Sequence, residues 1–259
     1  MFLLQLGSER VPTSLPVLGA GDTVIRTPIY GVLVETAQEL VLLVTGIGAA
    51  ALADPAALTE IYGSGMHPWG PPGDPLVQAL SPLGFIMADV TLAAVSHLHL
   101  DHTGGIPRLA AAGVPVAIHR AELDHGPAHI EQGTEREVAV CRDDVVVPGV
   151  SWWPWDGDEQ LAPGVWAFST PGHTPGHTSY KVDLAETGTW MFAADVADLG
   201  ENLHGRVTCG SVAEPADAER ALASIHWLVD EGARLGAWLV PGHDEVFLTA
   251  VWHPPGRHR

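Results

Sequence analysis

Four potential metal ligands lie within six residues of the segment Ser96–Gly105, which reads SHLHLDHTGG. His97 and His99 are two residues apart at the end of an apolar run, so in a strand their imidazoles point to the same side. Asp101 and His102 follow where the chain turns, and two glycines then allow it to bend into a helix. Such side chains crowd one another unless a cation lies between them. The segment therefore predicts a metal site rather than a polar strand end.

Three later segments place more histidine or aspartate side chains after apolar runs. The segment TPGHTPGHTSY contains His173 and His177, MFAADVAD contains Asp195, and VPGHDE contains His243. Layered folds place their active sites just beyond the C-terminal ends of strands. We therefore expect these segments to meet SHLHLDHTGG at one site.

The flanking sequence predicts a mixture of strands and helices, which favours layered α/β or α+β packing. The predicted strands are Ile29–Glu35, Glu39–Val44, Val90–Ser96, Val114–Ile118, Val165–Ser169, Ser179–Val182, Trp190–Ala193 and Trp238–Val240. The predicted helices are Gly104–Ala112 and Asp217–Arg234, the second with an apolar face of Ala221, Leu222, Ile225, Leu228 and Val229. The polar stretches Gly63–Pro75 and Glu122–Asp144 are predicted to be loops that cover a functional site.

The ordered set of motifs resembles the metallo-β-lactamase superfamily, in particular its hydrolase branch with glyoxalase II and the N-acyl-homoserine lactonases. The resemblance extends from about Tyr30 to Phe247, nearly the whole chain. It implies an α/β (α+β) fold, a four-layer αββα sandwich of two mixed sheets with two metals at one sheet edge. Because no domain boundary is evident, we expect a single domain over residues 1–259.

The resemblance also implies a role for each ligand. One metal would be held by His97, His99 and His173. The second would be held by Asp101, His102 and His243. Asp195 would bridge the two metals, and the family pattern selects His173 rather than His177 as the ligand of the TPGH segment.

This ligand chemistry predicts hydrolysis. Nitrogen and carboxylate ligands without a thiolate suit zinc, and also manganese, iron or cobalt. Two such cations lower the pKa of a shared water toward about 7, and the resulting hydroxide attacks a carbonyl. Asp101 is the candidate catalytic residue that passes a proton to the leaving group. We therefore predict a dinuclear metal-dependent hydrolase that cleaves a lactone, ester or thioester of a small apolar substrate through a metal-bridging hydroxide.

Two alternatives remain, a β-lactam hydrolase and a metal-stabilised binding protein without turnover. An aspartate at the position of Asp195 favours the lactonase and glyoxalase II branch, and a binding protein would carry a broken ligand set. The sequence also departs from the family pattern. Asp198 lies where quorum-quenching lactonases commonly carry a tyrosine, and Val44 lies where family members usually have an aspartate before Thr-Gly.

Weaker signals concern the pocket and a nucleotide motif. Asp198, His204, Arg206 and the cluster Trp152–Trp155 are candidates for contacts with substrate. His119, His125 and His129 are predicted to be surface or capping histidines. The segment Gly46–Ala51 reads GIGAAA and matches the pattern G-x-G-x-x-A, but no second strand with an acidic end follows at the required distance. Dinucleotide binding is therefore disfavoured.

Composition limits the partners. The chain has 12 Lys and Arg residues against 31 Asp and Glu, a net charge of −19, which disfavours nucleic acid as a partner. No apolar run approaches the length of a membrane span, so we expect no membrane partner and a small-molecule substrate. Two cysteines, Cys141 and Cys209, are too few for a disulfide framework and favour a cytoplasmic setting. The amino-acid composition, with a single lysine, favours a bacterial source. Homodimers are common in such families.

Overall fold

The computed structural model describes residues 1–212, 215–251 and 258–259, and these form two mixed β-sheets. The first sheet has the strand order β1-β2-β3-β4-β5-β6, with β1 Phe2–Pro12, β2 Val24–Glu35, β3 Leu40–Leu43, β4 Leu92–Ala94, β5 Val116–His119 and β6 Trp152–Trp155. The second has the order β11-β10-β9-β8-β7, with β7 Glu159–Ala162, β8 Val165–Ser169, β9 Thr178–Leu184, β10 Gly188–Phe192 and β11 Trp238–Val240.

Helices follow or connect the strands. They are α1 Ala49–Leu52, α2 Pro55–Tyr62, α3 Pro75–Leu80, α4 Leu100–Thr103, α5 Ile106–Ala111, α6 Arg120–Gln132, α7 Arg142–Val145, α8 Gly200–Gly205, α9 Ala218–Leu235 and α10 Glu245–Val251. None of those in the described ranges combines the length and the apolar character that crossing a bilayer requires.

The inner strands of the first sheet are apolar on both faces. Every residue of β3 and β4 is buried, which is the pattern of parallel strands that are covered on both sides. The pairs β3–β4, β4–β5 and β10–β11 are parallel. Parallel pairing aligns the carboxyl ends of these strands, so the segments after β4, β10 and β11 can meet at one edge of the structure.

Every predicted strand is present, with boundaries that shift by a few residues. Val165–Ser169 and Trp238–Val240 were predicted at their observed bounds. The prediction that Trp238–Val240 is a buried strand is wrong for Trp238, whose side chain is 54% exposed at the end of the second sheet. The sequence analysis missed β1, β6 and β7, because their residues do not alternate regularly between apolar and polar.

Two helix predictions need correction. The stretch Glu122–Asp144 is not a continuous loop, because most of its first half belongs to α6 and its end to α7. The buried face of α6 consists of Glu122, Gly126 and Ile130. Because these residues are not all apolar, the sequence shows no apolar repeat with the period of a helix. In α9, Leu222 is 38% exposed and lies off the buried face that the sequence assigned to it.

Close packing explains glycines in both the histidine motif and the GIGAAA segment. Gly104 has an ordinary helical φ of −59°, but a Cβ there would lie 1.9 Å from the backbone nitrogen of Gly48. Gly46 has φ +73°, and a Cβ there would lie 2.5 Å from Cβ of Leu6. These contacts account for the glycines of the GIGAAA segment without a nucleotide.

Replacing Gly104 with alanine should therefore destabilise the fold. The new methyl group would overlap backbone rather than a movable side chain, so we expect a loss of about 3 kcal/mol in the free energy of unfolding. Urea denaturation of Gly104→Ala measures this loss. Gly21→Ala is the matched control, because a Cβ at Gly21 meets no atom within 4 Å. Equal stability of the two variants would contradict the packing argument.

Candidate metal centre

The structure brings the seven predicted ligands together in two overlapping groups. The first group is His97, His99, His173 and Asp195. The second is Asp101, His102, Asp195 and His243. Within each group the nearest ligand atoms all lie within 4.8 Å of one another, and Asp195 belongs to both. This division agrees with the one that the family resemblance implies.

The two carboxylate oxygens of Asp195 face different groups. Its Oδ2 lies 3.7 Å from Nε2 of His97 and 3.5 Å from Nε2 of His173. Its Oδ1 lies 3.1 Å from Nε2 of His102 and 3.2 Å from Nε2 of His243. A carboxylate in this position can offer one oxygen to each of two cations.

Asp101 completes the second group from the first turn of α4. Its Oδ2 lies 3.2 Å from Nε2 of His102 and 3.6 Å from Nε2 of His243. In the first group, Nε2 of His173 lies 3.1 Å from Nδ1 of His99. His99 therefore presents Nδ1 to the centre, whereas the other imidazoles present Nε2.

The pKa values of the histidines differ between the two ligand groups. Burial and the neighbouring imidazole of His102 lower the pKa of His97, and burial with His173 lowers the pKa of His99 to about 3. Burial also disfavours the charged form of His102, but Asp195 and Asp101 outweigh it and raise the pKa of His102 to about 10. The imidazoles of the first group are thus neutral, as metal binding requires. Beside the second group, the carboxylates concentrate negative charge.

A divalent cation fits the arrangement. Nε2 of His97 is buried and, within the described part of the chain, has no hydrogen-bond partner. A buried polar atom without a partner costs free energy, and a neutral imidazole nitrogen that faces a carboxylate is a suitable metal ligand. The residues present therefore fit a metal at this position.

Several imidazoles are oriented through the ring nitrogen that points away from the centre. Ser96 Oγ lies 3.0 Å from Nδ1 of His97 and 3.1 Å from Nδ1 of His102. Nδ1 of His173 lies 3.1 Å from the carbonyl oxygen of Ser211, and Nδ1 of His243 lies 2.8 Å from that of Pro28. Such contacts fix the ring and its tautomer, which leaves Nε2 free for a metal.

His177 is buried beside the centre, but both of its ring nitrogens have protein partners. Nδ1 lies 3.0 Å from the carbonyl oxygen of Thr170, to which it donates, and Nε2 accepts from the backbone N–H of Asp195 at 3.0 Å. His177 therefore positions the backbone of the shared aspartate. This geometry supports the choice of His173 as the ligand.

Glu122 is a positioning residue that the sequence analysis missed. Its Oε2 accepts from the backbone N–H of Leu98 at 3.1 Å, and its Oε1 accepts from that of Gly176 at 2.8 Å. It thus joins the histidine motif after β4 to the TPGH segment after β8. The only sequence signal was a glutamate in the first turn of a segment that looked irregular.

The remaining histidine candidates have structural partners. His119 precedes α6 and accepts from the backbone N–H of Ala121 through Nδ1. Nδ1 of His129 lies 2.8 Å from Thr134 Oγ1. His125 lies beside His129 and also reaches the cavity described next.

A cavity of about 390 Å³ opens onto the two groups. Its floor includes His99, Asp101, His173, Asp195 and His243. Its apolar lining is Val11, Pro12, Leu15, Ile61, Met66, Val138, Ala139 and Val212. Met66 and Val138 come from the two stretches that were predicted to cover a site.

The residues that the sequence suggested for substrate contact differ in whether they line this cavity. Asp198 lines it, whereas His204, Arg206 and the cluster Trp152–Trp155 are not part of its described lining. Arg206 instead pairs with Asp230 at 2.5 Å, and Nδ1 of His204 lies 2.7 Å from the carbonyl oxygen of Gly200. The tryptophan cluster forms β6 at the edge of the first sheet.

Comparison with known proteins identifies the class of this chain. A family model described as the metallo-beta-lactamase superfamily matches residues 26–243. The chain therefore belongs to the metallo-β-lactamase superfamily, and the two sheets with their helices confirm the predicted fold.

Its similar relatives include lactonases. An N-acyl homoserine lactonase of a Bacillus species is 28% identical over 218 residues, which are 84% of this chain and 81% of the relative. The N-acyl homoserine lactonase AttM of Azorhizobium caulinodans is 30% identical over 186 residues, 70% of this chain and 68% of the relative. The crystal structure of a B. thuringiensis AiiA mutant with N-decanoyl-L-homoserine bound has the same fold, with a TM-score of 0.86, 23% identity and coverage of 98% and 97%.

The roles of the two TPGH histidines can be separated by metal analysis. His173→Ala should lose bound metal, because it removes an Nε2 that faces Asp195. His177→Ala should keep a metal content near that of the unmodified protein but melt at a lower temperature, because it removes the hydrogen bond to the backbone of Asp195. Elemental analysis and thermal denaturation measure both. Loss of metal only in His177→Ala would reverse the assignment.

Proposed function

We propose that this protein is a dinuclear metal-dependent hydrolase that opens the ring of an N-acyl-homoserine lactone. The observation that carries the proposal is the position of Asp195, which presents one oxygen to each of two ligand groups at the floor of a cavity that apolar side chains line in part. The names of the lactonase relatives support the choice of a lactone over a thioester or a β-lactam.

His97, His99 and His173 would hold one metal, Asp101, His102 and His243 the other, and Asp195 both. When bound, two divalent metals would supply a hydroxide nucleophile near neutral pH and an electrophile for the carbonyl oxygen. We propose zinc, since the ligands are imidazoles and carboxylates and since the lactonase AidC, which has a similar fold, is described as a dizinc enzyme.

Both cysteines are free, which supports the proposed cytoplasmic setting.

Asp101 is the proposed proton carrier. Burial raises its pKa, but His102 outweighs burial and lowers the pKa below the ordinary value for aspartate, so the side chain is ionised at neutral pH. It can accept a proton from the attacking water and deliver it to the ring oxygen as the ester C–O bond breaks.

The cavity suits a substrate with one polar and one apolar end. Ligand cavities of about 300–1,000 Å³ enclose small organic molecules, and this one lies within that range at about 390 Å³. The reacting carbonyl would lie at the ligand-lined floor. The apolar side chains from β1, α2 and the segment after α6 would then enclose the acyl chain.

Hydrolysis assays with metal removal test the proposed function. The purified protein should contain about two metals per chain and hydrolyse N-hexanoyl-homoserine lactone faster than an acyl thioester or a β-lactam. Chelation should abolish turnover, and added zinc should restore it. Turnover of only the β-lactam would indicate the alternative hydrolase. Metal content of two without turnover of any of the three would indicate a binding protein.

Replacing Asp101 with asparagine should lower turnover of the lactone by about 10²–10⁴-fold, because asparagine keeps the size of the side chain but cannot accept and return a proton. The assay is run on protein whose metal content has been measured, so that loss of metal is distinguished from loss of proton transfer. Asp124→Asn, a change of an exposed aspartate on α6, is the matched control. Near-full activity of the metal-loaded Asp101→Asn variant would remove Asp101 from the mechanism.

A further inference from the structure

A carboxylate that the proposed chemistry does not use lies in the wall of the same cavity. Glu9 belongs to β1, and only 7% of its surface is exposed. It lies opposite Thr27 of β2 in the strand register, and Thr27 Oγ1 donates to Glu9 Oε1 at 3.3 Å. Tyr62, at the C-terminal end of α2, lines the same cavity, and burial together with the charge of Glu9 raises the pKa of its hydroxyl.

The partners of Glu9 leave its carboxylate incompletely satisfied. Among the described residues Thr27 is the donor that reaches Glu9, and it is neutral, whereas an ionised carboxylate can accept about four hydrogen bonds. Burying a carboxylate with so few donors is costly, and burial together with Asp101 raises the pKa of Glu9 to about 7. In either protonation state the group keeps an acceptor oxygen. A ligand with an N–H group would use that remaining capacity.

Glu9 is also close to the reacting centre. Asp101, Asp195 and His243 line the cavity together with Glu9. In an N-acylamino lactone, the amide nitrogen is attached to the carbon beside the reacting carbonyl. When that carbonyl lies at the ligand groups, the amide N–H lies inside the same cavity, and Glu9 offers an acceptor in its wall.

We infer that Glu9 is a specificity-determining residue that accepts a hydrogen bond from the amide N–H of the substrate. The inference rests on the proposed lactonase function and deepens it. It assigns this chain a preference for lactones that carry an acylamino group over lactones that carry only an alkyl or ketone chain.

Asp198 is a competing acceptor in the cavity. Its Oδ1 is buried and has no hydrogen-bond partner among the described residues. However, its carbonyl oxygen accepts from the backbone N–H of His243 at 2.8 Å, so the backbone of Asp198 is fixed directly against a candidate ligand. Changes at Asp198 are therefore expected to affect all substrates alike, whereas changes at Glu9 should distinguish them.

The test compares two substrates that differ at a single group. One is N-hexanoyl-homoserine lactone, and the other is its carbon analogue, in which CH2 replaces the amide N–H. Glu9→Leu should lower kcat/KM for the amide substrate by about 10–100-fold and change that for the carbon analogue by less than about 3-fold. Glu9→Gln should show a smaller selective loss, because its amide oxygen still accepts a hydrogen bond. Metal content should stay unchanged in both variants.

The outcomes separate this inference from the proposed function. Equal losses on both substrates would mean that Glu9 supports the fold or the metal centre, and the inference would be wrong. An unchanged ratio in Glu9→Leu, or a selective loss on the amide substrate in Asp198→Asn alone, would also overturn it. If the unmodified protein hydrolysed neither lactone, the proposed function itself would fail, and the inference would fail with it.

Discussion

The burial of the Asp195 carboxylate among imidazoles is the interaction on which the rest of the structure depends. Burial raises the pKa of this group, but His102 and His243 outweigh burial and lower it well below the ordinary value. The side chain is therefore a buried anion, and it is stable there only with positive charge beside it. The two sheets meet where that charge can be supplied, by imidazolium groups or by metal ions.

The surrounding contacts keep the ligand segments at that meeting point. His177 holds the backbone of Asp195, and Glu122 joins the segment after β4 to the segment after β8. Thr45 accepts from the backbone N–H of Gly105 and donates to the carbonyl oxygen of His102, which fixes the turn that carries the histidine motif. These contacts join five separate parts of the chain, so the centre depends on the packing of the two sheets.

The cavity above the centre gives the chain its individual character within the superfamily. The ligand groups determine the reaction that can occur, whereas the wall determines which molecule is positioned for it. Here the wall combines an apolar lining with Glu9 and Tyr62 on one side and Asp198 close to the ligands. The first strand contributes both polar and apolar parts of this wall, although nothing in its sequence marked it as part of a site.

The sequence predicted the candidate ligands, their order and the strands that precede them, because a short motif such as SHLHLDHTGG carries its own local geometry. It also determined the buried strands β3 and β4, whose apolar runs permit little else. What required the folded chain is that His177 holds the backbone of Asp195, that Glu122 bridges two segments from a helix, and that Glu9 reaches the cavity. Each of these facts depends on partners that are 18 or more positions away along the chain. Local patterns contain no information about which distant donor or acceptor a side chain will meet, and packing of the two sheets supplies it.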